Sequence, residues 1–355
     1  MSVIDRHRPG ARATAALTLV AALSAFAPSP AAAQELATVT VGVANTSSDA
    51  PFFIGEKRGF FREEGITVKI IPFRGAPEMM APLGAGQLDV AGAAPSAGLY
   101  NGIASGLDMR IVADKGSVAP GYGYGPLMIR KELVTRGRYK TVKDLKGVRF
   151  AEASPGTMNA ASVARLLQTA GLTYADVQHV YIGFPQQAAA FANGALDAAV
   201  TAEPAATIAE REGVAVRIAG NDTWYNRQEQ SVVTYSGPFM RKRDLAVRFM
   251  TGYIRSLRFY NDALAGGHLR GPNADAVINI LISETPLKDR RIYQDMVPNA
   301  VDPEGRLILL SLGDDLAFLK AQGYVTGEIT VLKSIDSSFQ EEALRRLGRY
   351  HPKKK

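Results

Sequence analysis

Pro77-Glu78-Met79-Met80-Ala81-Pro82-Leu83-Gly84-Ala85-Gly86-Gln87-Leu88-Asp89 returns 108 residues later as Pro185-Gln186-Gln187-Ala188-Ala189-Ala190-Phe191-Ala192-Asn193-Gly194-Ala195-Leu196-Asp197. Proline, glycine, leucine and aspartate keep their spacing, and each copy runs into small residues and a further proline, Pro95 or Pro204. Two copies set this far apart do not make a solenoid; they read as two related α/β lobes. Two lobes imply a cleft between them. The alternative is chance recurrence of helix, glycine stop and strand in an alanine-rich chain.

Working outward, Thr38 to Ala44 alternates as a first strand, followed by the polar loop Asn45 to Asp49 and a helix opening near Pro51. Ile66 to Ile71 is the next strand. The first repeat helix stops at Gly86, and Asp89-Val90-Ala91 begins a third strand, giving β-α-β-α-β. Pro82 falls inside that helix and predicts a short or kinked one. The pattern restarts at Val148 to Ala151, with a helix whose Ala160, Val163, Ala164, Leu167 and Ala170 share one face, a strand at His179 to Ile182, the second repeat helix, and a strand at Ala198 to Val200.

Between the units lies glycine-rich Gly116 to Gly125, which reads as a crossing, followed by the strand Leu127 to Ile129; the return crossing is expected near Gln230 to Ser236. Amphipathic helices at Leu245 to Leu264, Ala274 to Ile282 and Leu307 to Gln322 are expected to complete the first lobe. The division predicted is residues 1–33 as an export signal, 36–120 with 236–340 as a first, discontinuous lobe, and 121–235 as a second.

The export signal rests on Arg6, Arg8 and Arg12 before an apolar run of about 15 residues, then Ala31-Ala32-Ala33. That run is shorter than the roughly 20 residues a bilayer span needs. A soluble, exported, periplasmic protein is therefore expected. The remaining chain, 46% hydrophobic and 21% charged, has globular proportions. Its basic excess, +7 overall and +5 without the signal, is dispersed rather than striped with aromatics, so nucleic acid is not an expected partner. There are no cysteines and only four histidines, none at ligand spacing, so neither a metal nor a cofactor is expected.

Ligands of open parallel sheets bind beyond the carboxyl ends of strands, at helix N-termini whose free amides favour negative charge. Four such loops occupy repeated positions, Thr46–Phe52, Gly92–Ser96, Ser154–Asn159 and Thr201–Pro204. Closure should set them face to face. Ser48, Ser96, Ser154 and Thr157 supply hydroxyls for an anion's oxygens, although the same residues serve as ordinary helix caps. Gly156 lets backbone approach closely. Arg74 could pair with an anion or lie free on the surface. Glu203 would take a ligand N–H or latch the opposite lobe. Tyr122, Tyr124, Trp224 and Tyr225 could stack on a ligand or pack the hinge. No Ser/His/Asp set, phosphate loop or dinucleotide fingerprint is present.

Ala50-Pro51-Phe52-Phe53-Ile54-Gly55-Glu56-Lys57-Arg58-Gly59-Phe60-Phe61, Glu63-Glu64-Gly65-Ile66, Gly86-Gln87-Leu88-Asp89, Asp144-Leu145-Lys146-Gly147, Gly194-Ala195-Leu196-Asp197 and Glu203-Pro204 together resemble the periplasmic solute-binding proteins of ABC importers for sulfonates, taurine, nitrate and thiamine precursors. The resemblance runs from about Thr38 to Gly327. It implies a type II periplasmic-binding fold: two α/β lobes, two crossings, and a small-molecule ligand in the cleft, delivered to an inner-membrane ABC permease by a monomeric receptor. It places ligand contacts on Ser47, Ser48, Asp49 and Phe52, on Ala94 and Ser96, on Ser154, Gly156, Thr157, Met158 and Asn159, and on Glu203.

The ligand expected is a small organic anion, a sulfonate or carboxylate with an apolar or aromatic body. Nitrate, a pyrimidine, and a sensory rather than a transport role remain open. Pyrimidine synthases of the same superfamily are cytosolic and carry a cysteine-rich motif that this chain lacks, so no enzyme is expected. The tryptophan that some relatives place near the Glu-Pro loop is replaced here by Val200-Thr201-Ala202.

Overall fold

The computed structural model describes residues 35–353; the expected export signal lies outside the described residues. Ten strands form two separate five-stranded sheets. Strands β1 (Ala37–Val43), β2 (Ile66–Pro72), β3 (Val90–Ala93), β4 (Met109–Ser117) and β10 (Glu229–Ser236) form the first, in the order β2-β1-β3-β10-β4. Strands β5 (Leu127–Arg130), β6 (Arg149–Glu152), β7 (Gln178–Tyr181), β8 (Ala198–Val200) and β9 (Ala215–Ala219) form the second, in the order β7-β6-β8-β5-β9. The two orders are the same pattern. β1 pairs in parallel with β2 and β3 as β6 does with β7 and β8, and each sheet then takes one antiparallel strand, β10 or β5.

The repeated sequence holds this pattern in place. Its two copies form helices Ala76–Gly84 and Phe184–Ala192, followed by Gly86 and Gly194 in the left-handed region at φ 72° and 71°. Each terminal aspartate then clamps the corresponding parallel strand of its own lobe, β1 or β6. Asp89 Oδ2 accepts from Thr40 N at 2.8 Å while its N–H donates to Thr40 O; Asp197 Oδ2 accepts from Arg149 N at 3.1 Å while its N–H donates to Arg149 O. Asp197 also receives the guanidinium groups of Arg149 and Arg130. Pro82 lies in a helix of nine residues, short as expected.

Each sheet is covered on both faces. On the first, one core joins Phe52, Phe61, Phe249, Tyr253, Tyr235 and Phe339, and another joins Met79, Leu83, Leu99, Tyr100 and Leu319; the second sheet carries clusters around Leu167 and around Phe191. Burial on both faces explains why the central strands β3 and β8 read as apolar or small-residue runs, while β1 keeps its alternation of threonine and valine.

The lobes are joined through residues 118–126 and 220–228, which are bonded to each other by Val118 N to Gln228 O, Arg227 N to Val118 O, and Gly121 N to Asp222 Oδ2. Their close approach accounts for a glycine, since a Cβ at Gly123 would lie 2.8 Å from Gly220 Cα. The return crossing therefore precedes Glu229. Residues 230–236, expected to be that crossing, are instead strand β10, buried along its whole length between β3 and β4. Helix Leu309–Ala321 also departs from expectation. Rather than belonging to the first lobe alone, it touches both: Phe318 stands edge-on to Tyr174 at 5.3 Å, and Asp315 accepts from Tyr225 and Gln228. Helix Ser338–Leu347, not anticipated, packs Phe339 and Ala343 against helix Arg243–Asn261.

Candidate ligand-binding cleft

The four strand-end loops do meet. Ala97 N donates to Gly156 O at 2.8 Å, Met158 N to Pro95 O at 3.3 Å, and Ser47 N to Glu203 O at 3.1 Å. Backbone bonds thus tie the lobes together on both sides of a cavity of about 80 Å³. Lobe I contributes Thr46, Ser48, Arg74, Ala94, Lys115, Gln230 and Ser231, and lobe II contributes Ser154, Thr157, Asn159 and Phe184, with Tyr124 and Gly125 from the crossing.

Lys115 dominates the electrostatics. It is 1% exposed, its Nζ lies 2.7 Å from Asp49 Oδ1, and it donates to Ser48 Oγ at 2.7 Å and Ser231 Oγ at 3.0 Å. Burial pushes the ammonium below its ordinary pKa, while the Asp49 carboxylate pulls it back up. Glycine makes room for the stem: a Cβ at Gly92 would come within 2.8 Å of Lys115 Cε. Asp49 sits behind the lysine, with Oδ2 accepting from Thr46 N at 2.8 Å. The charged side chains that face the cavity are consequently Lys115 and Arg74, and no carboxylate lines it. Arg74 remains 89% exposed and only 3.8 Å from Glu78, an ion pair that constrains it weakly.

Of the residues expected at the site, Ser48, Arg74, Ala94, Ser154, Thr157 and Asn159 line the cavity. The others are placed elsewhere, each for an identifiable reason. Phe52 points into the first core, 5.1 Å from the Tyr253 ring. Ser47 turns to Asn299 Oδ1 at 3.0 Å, and Asp49 to Lys115. Ser96 caps helix Ala97–Ala104 through Leu99 N, the ordinary role of such a residue. Met158 is fully buried, and Gly156, at φ 65°, serves the interlobe bond. Tyr122 forms a turn with Ala119 in the crossing, and Trp224 Nε1 donates to Ser162 O at 3.1 Å.

Glu203 is the instructive case. Its carboxylate is buried, bonded to Arg217, Thr207 and, across the lobes, Val297 N at 3.3 Å. It faces a neighbouring groove rather than the cavity, so it acts as the interlobe latch. Sequence reasoning missed Lys115, Gln230 and Ser231. They come from β4 and β10, adjacent only through tertiary pairing, and Met109–Ser117 carries no helix-start signal to mark it.

Solved structures share this two-lobed architecture. The alkanesulfonate-binding protein SsuA from Xanthomonas axonopodis pv. citri, bound to MOPS, superimposes with a TM-score of 0.67 at 18% identity, covering 85% of this chain and 98% of that one. The periplasmic nitrate-binding protein NrtA from Synechocystis PCC 6803 gives 0.73 at 13% identity, covering 88% and 89%. The desulfurization enzyme DSZB gives 0.58 at 16% identity, covering 88% and 100%. At these identities the likeness is one of fold, and it defines the chain as a two-lobed α/β protein of the periplasmic-binding type. Residues 32–265 match the NMT1-like family, to which the chain belongs. No curated protein matches it. Among the described residues no helix is long and apolar enough to cross a membrane, and no cluster of His, Asp or Glu could hold a metal.

Proposed function

We propose that the protein is an extracytoplasmic solute receptor that closes on a small organic anion, a sulfonate or carboxylate, and delivers it to an ABC permease. The observation that carries this reading is the cavity's charge: two cations and several hydroxyls face it, and no carboxylate does. The signal-like N-terminus supports a periplasmic location. The volume suits a ligand of on the order of ten non-hydrogen atoms or fewer. A bulkier apolar or aromatic body would extend past Phe184, which lines both the cavity and an adjoining groove of about 530 Å³ bordered by Phe53, Ile208, Leu281 and Tyr293. A cationic or neutral pyrimidine gains nothing from Glu203, whose carboxylate is already engaged. Neither histidine nor cysteine lines the cavity, which favours a receptor over a catalyst even though one relative of this fold is an enzyme.

The test is a thermal-shift screen of the protein lacking residues 1–33 against alkanesulfonates, small carboxylates, nitrate and pyrimidines. A ligand at 100-fold its Kd should add about 2.7 kcal/mol. Organic anions are expected to stabilise the protein and Arg74→Ala to weaken them; hits confined to neutral or cationic compounds would overturn the reading.

A further inference from the structure

Asn159, the second residue of helix Met158–Gln168, faces the cavity from lobe II. Its Nδ2 donates to the Val200 carbonyl at 3.2 Å. That contact fixes the orientation of the amide, because turning it over would set two acceptor oxygens against each other. Oδ1 is thus the free end, and it is buried with no protein donor among the described residues. The opposite wall has the opposite character. Lys115 spends its three N–H groups on Asp49, Ser48 and Ser231, leaving none for a ligand. Both serine oxygens accept from the ammonium; the Ser48 hydroxyl, 3.0 Å from Thr46 Oγ1, donates to Ser231 Oγ at 3.5 Å, and the Ser231 hydroxyl finds no acceptor among the described residues. The ammonium's charge reaches the cavity through this chain, which ends on the polarised Ser231 hydroxyl.

We infer that the ligand carries two unlike groups: an anionic head for the hydroxyl wall of lobe I, and a neutral O–H or N–H donor for Asn159 Oδ1 of lobe II. An ammonium in the second position would be desolvated with no carboxylate lining the cavity and with Lys115 and Arg74 repelling it. Because each lobe supplies one half of the recognition, only a ligand bearing both groups favours the closed form fully. This rests on the anion-receptor reading and narrows it to hydroxy- or amide-bearing sulfonates and carboxylates.

Titration calorimetry on the protein lacking residues 1–33 tests it with matched compounds: 2-hydroxyethanesulfonate, ethanesulfonate and 2-aminoethanesulfonate, and the pair 2-hydroxypropanoate and propanoate. In at least one series the hydroxy compound should bind about 10-fold or more tightly than its deoxy partner, since the deoxy form leaves a buried acceptor unpaired, and 2-aminoethanesulfonate should bind more weakly than 2-hydroxyethanesulfonate. Asn159→Ala should bring the hydroxy-to-deoxy ratio close to one. Equal affinity of hydroxy and deoxy compounds, or a ratio unchanged in Asn159→Ala, overturns this inference alone. Failure of every anion to bind overturns the anion reading and this inference with it. The wild-type comparison needs no variant and decides the matter if Asn159→Ala does not fold.

Discussion

Replacing Lys115 by methionine isolates the buried ion pair at the cavity wall. Lys115 and Asp49 are 1% and 0% exposed and 2.7 Å apart, so neither solvent nor salt screens them appreciably. Methionine fills most of the volume of the lysine stem but leaves the Asp49 carboxylate with a single hydrogen bond, from Thr46 N. Removing one partner of such a pair costs about 3–5 kcal/mol, chiefly because the surviving charge is stranded. Lys115→Met combined with Asp49→Asn removes both charges while keeping an oxygen for Thr46 N. The double variant should therefore recover about 2–3 kcal/mol of the loss. Urea denaturation at pH 7 without ligand, followed by the fluorescence of Trp224, the only tryptophan, measures all four species of the cycle. Stability and binding should then separate, for the double variant regains the fold but not the anion. A cost below about 1 kcal/mol for Lys115→Met, or a double variant as unstable as the two singles summed, would refute the reasoning.

Two further outcomes concern pH. Burial pushes the carboxyl groups of Asp114 and Asp315 up to about 7, and raises Glu229 well above the carboxylate range, with Asp114 beside it adding to the effect. The folded state thus holds protons that the unfolded chain releases near pH 4, and the stability this confers is lost as pH rises through about 7. Unfolding free energy should fall between pH 6 and 8 by about 1–2 kcal/mol for each titrating group, seen as a falling melting temperature, and Asp114→Asn should flatten the slope. Asp197 behaves oppositely: burial raises it, but the hydrogen bonds and charge of Arg149 and Arg130 outweigh that and hold it below its ordinary value. Its contribution is full above about pH 4 and is lost as pH falls through the depressed folded value. Asp197→Asn should cost about 1–3 kcal/mol at pH 7, and urea midpoints of variant and wild type should converge as pH approaches 3.

The repeat was legible because its residues act locally. Gly86 and Gly194 end helices by adopting φ values that other residues resist, and Asp89 and Asp197 follow them at a fixed spacing, although the strand residues they clamp, Thr40 and Arg149, lie 49 and 48 positions away in sequence. The strand-end loops were legible for the same reason: a helix that starts after a parallel strand must open toward the cleft. Whether a loop residue faces that cleft was not legible. Ser48 and Phe52 are four positions apart in one segment, yet one lines the cavity and the other fills the core, because Ser48, in the turn before helix Ala50–Lys57, is held by Lys115 and Phe52, on that helix, packs on Tyr253.

The sequence by itself determined that two α/β halves recur and where their loops, helix ends and crossing glycines fall, since hydrophobic period, glycine stops and proline starts depend on neighbours along the chain. Tertiary structure alone decided the chemistry of the cavity. Lys115 and Ser231 come from strands more than 100 residues apart, and only their pairing in one sheet brings an ammonium, two hydroxyls and Asp49 together. It likewise decided that Glu203, which looked like a ligand contact, spends its charge on Arg217 and on Val297 N across the interface. A buried charge takes its role from its partners, and long-range folding chooses them.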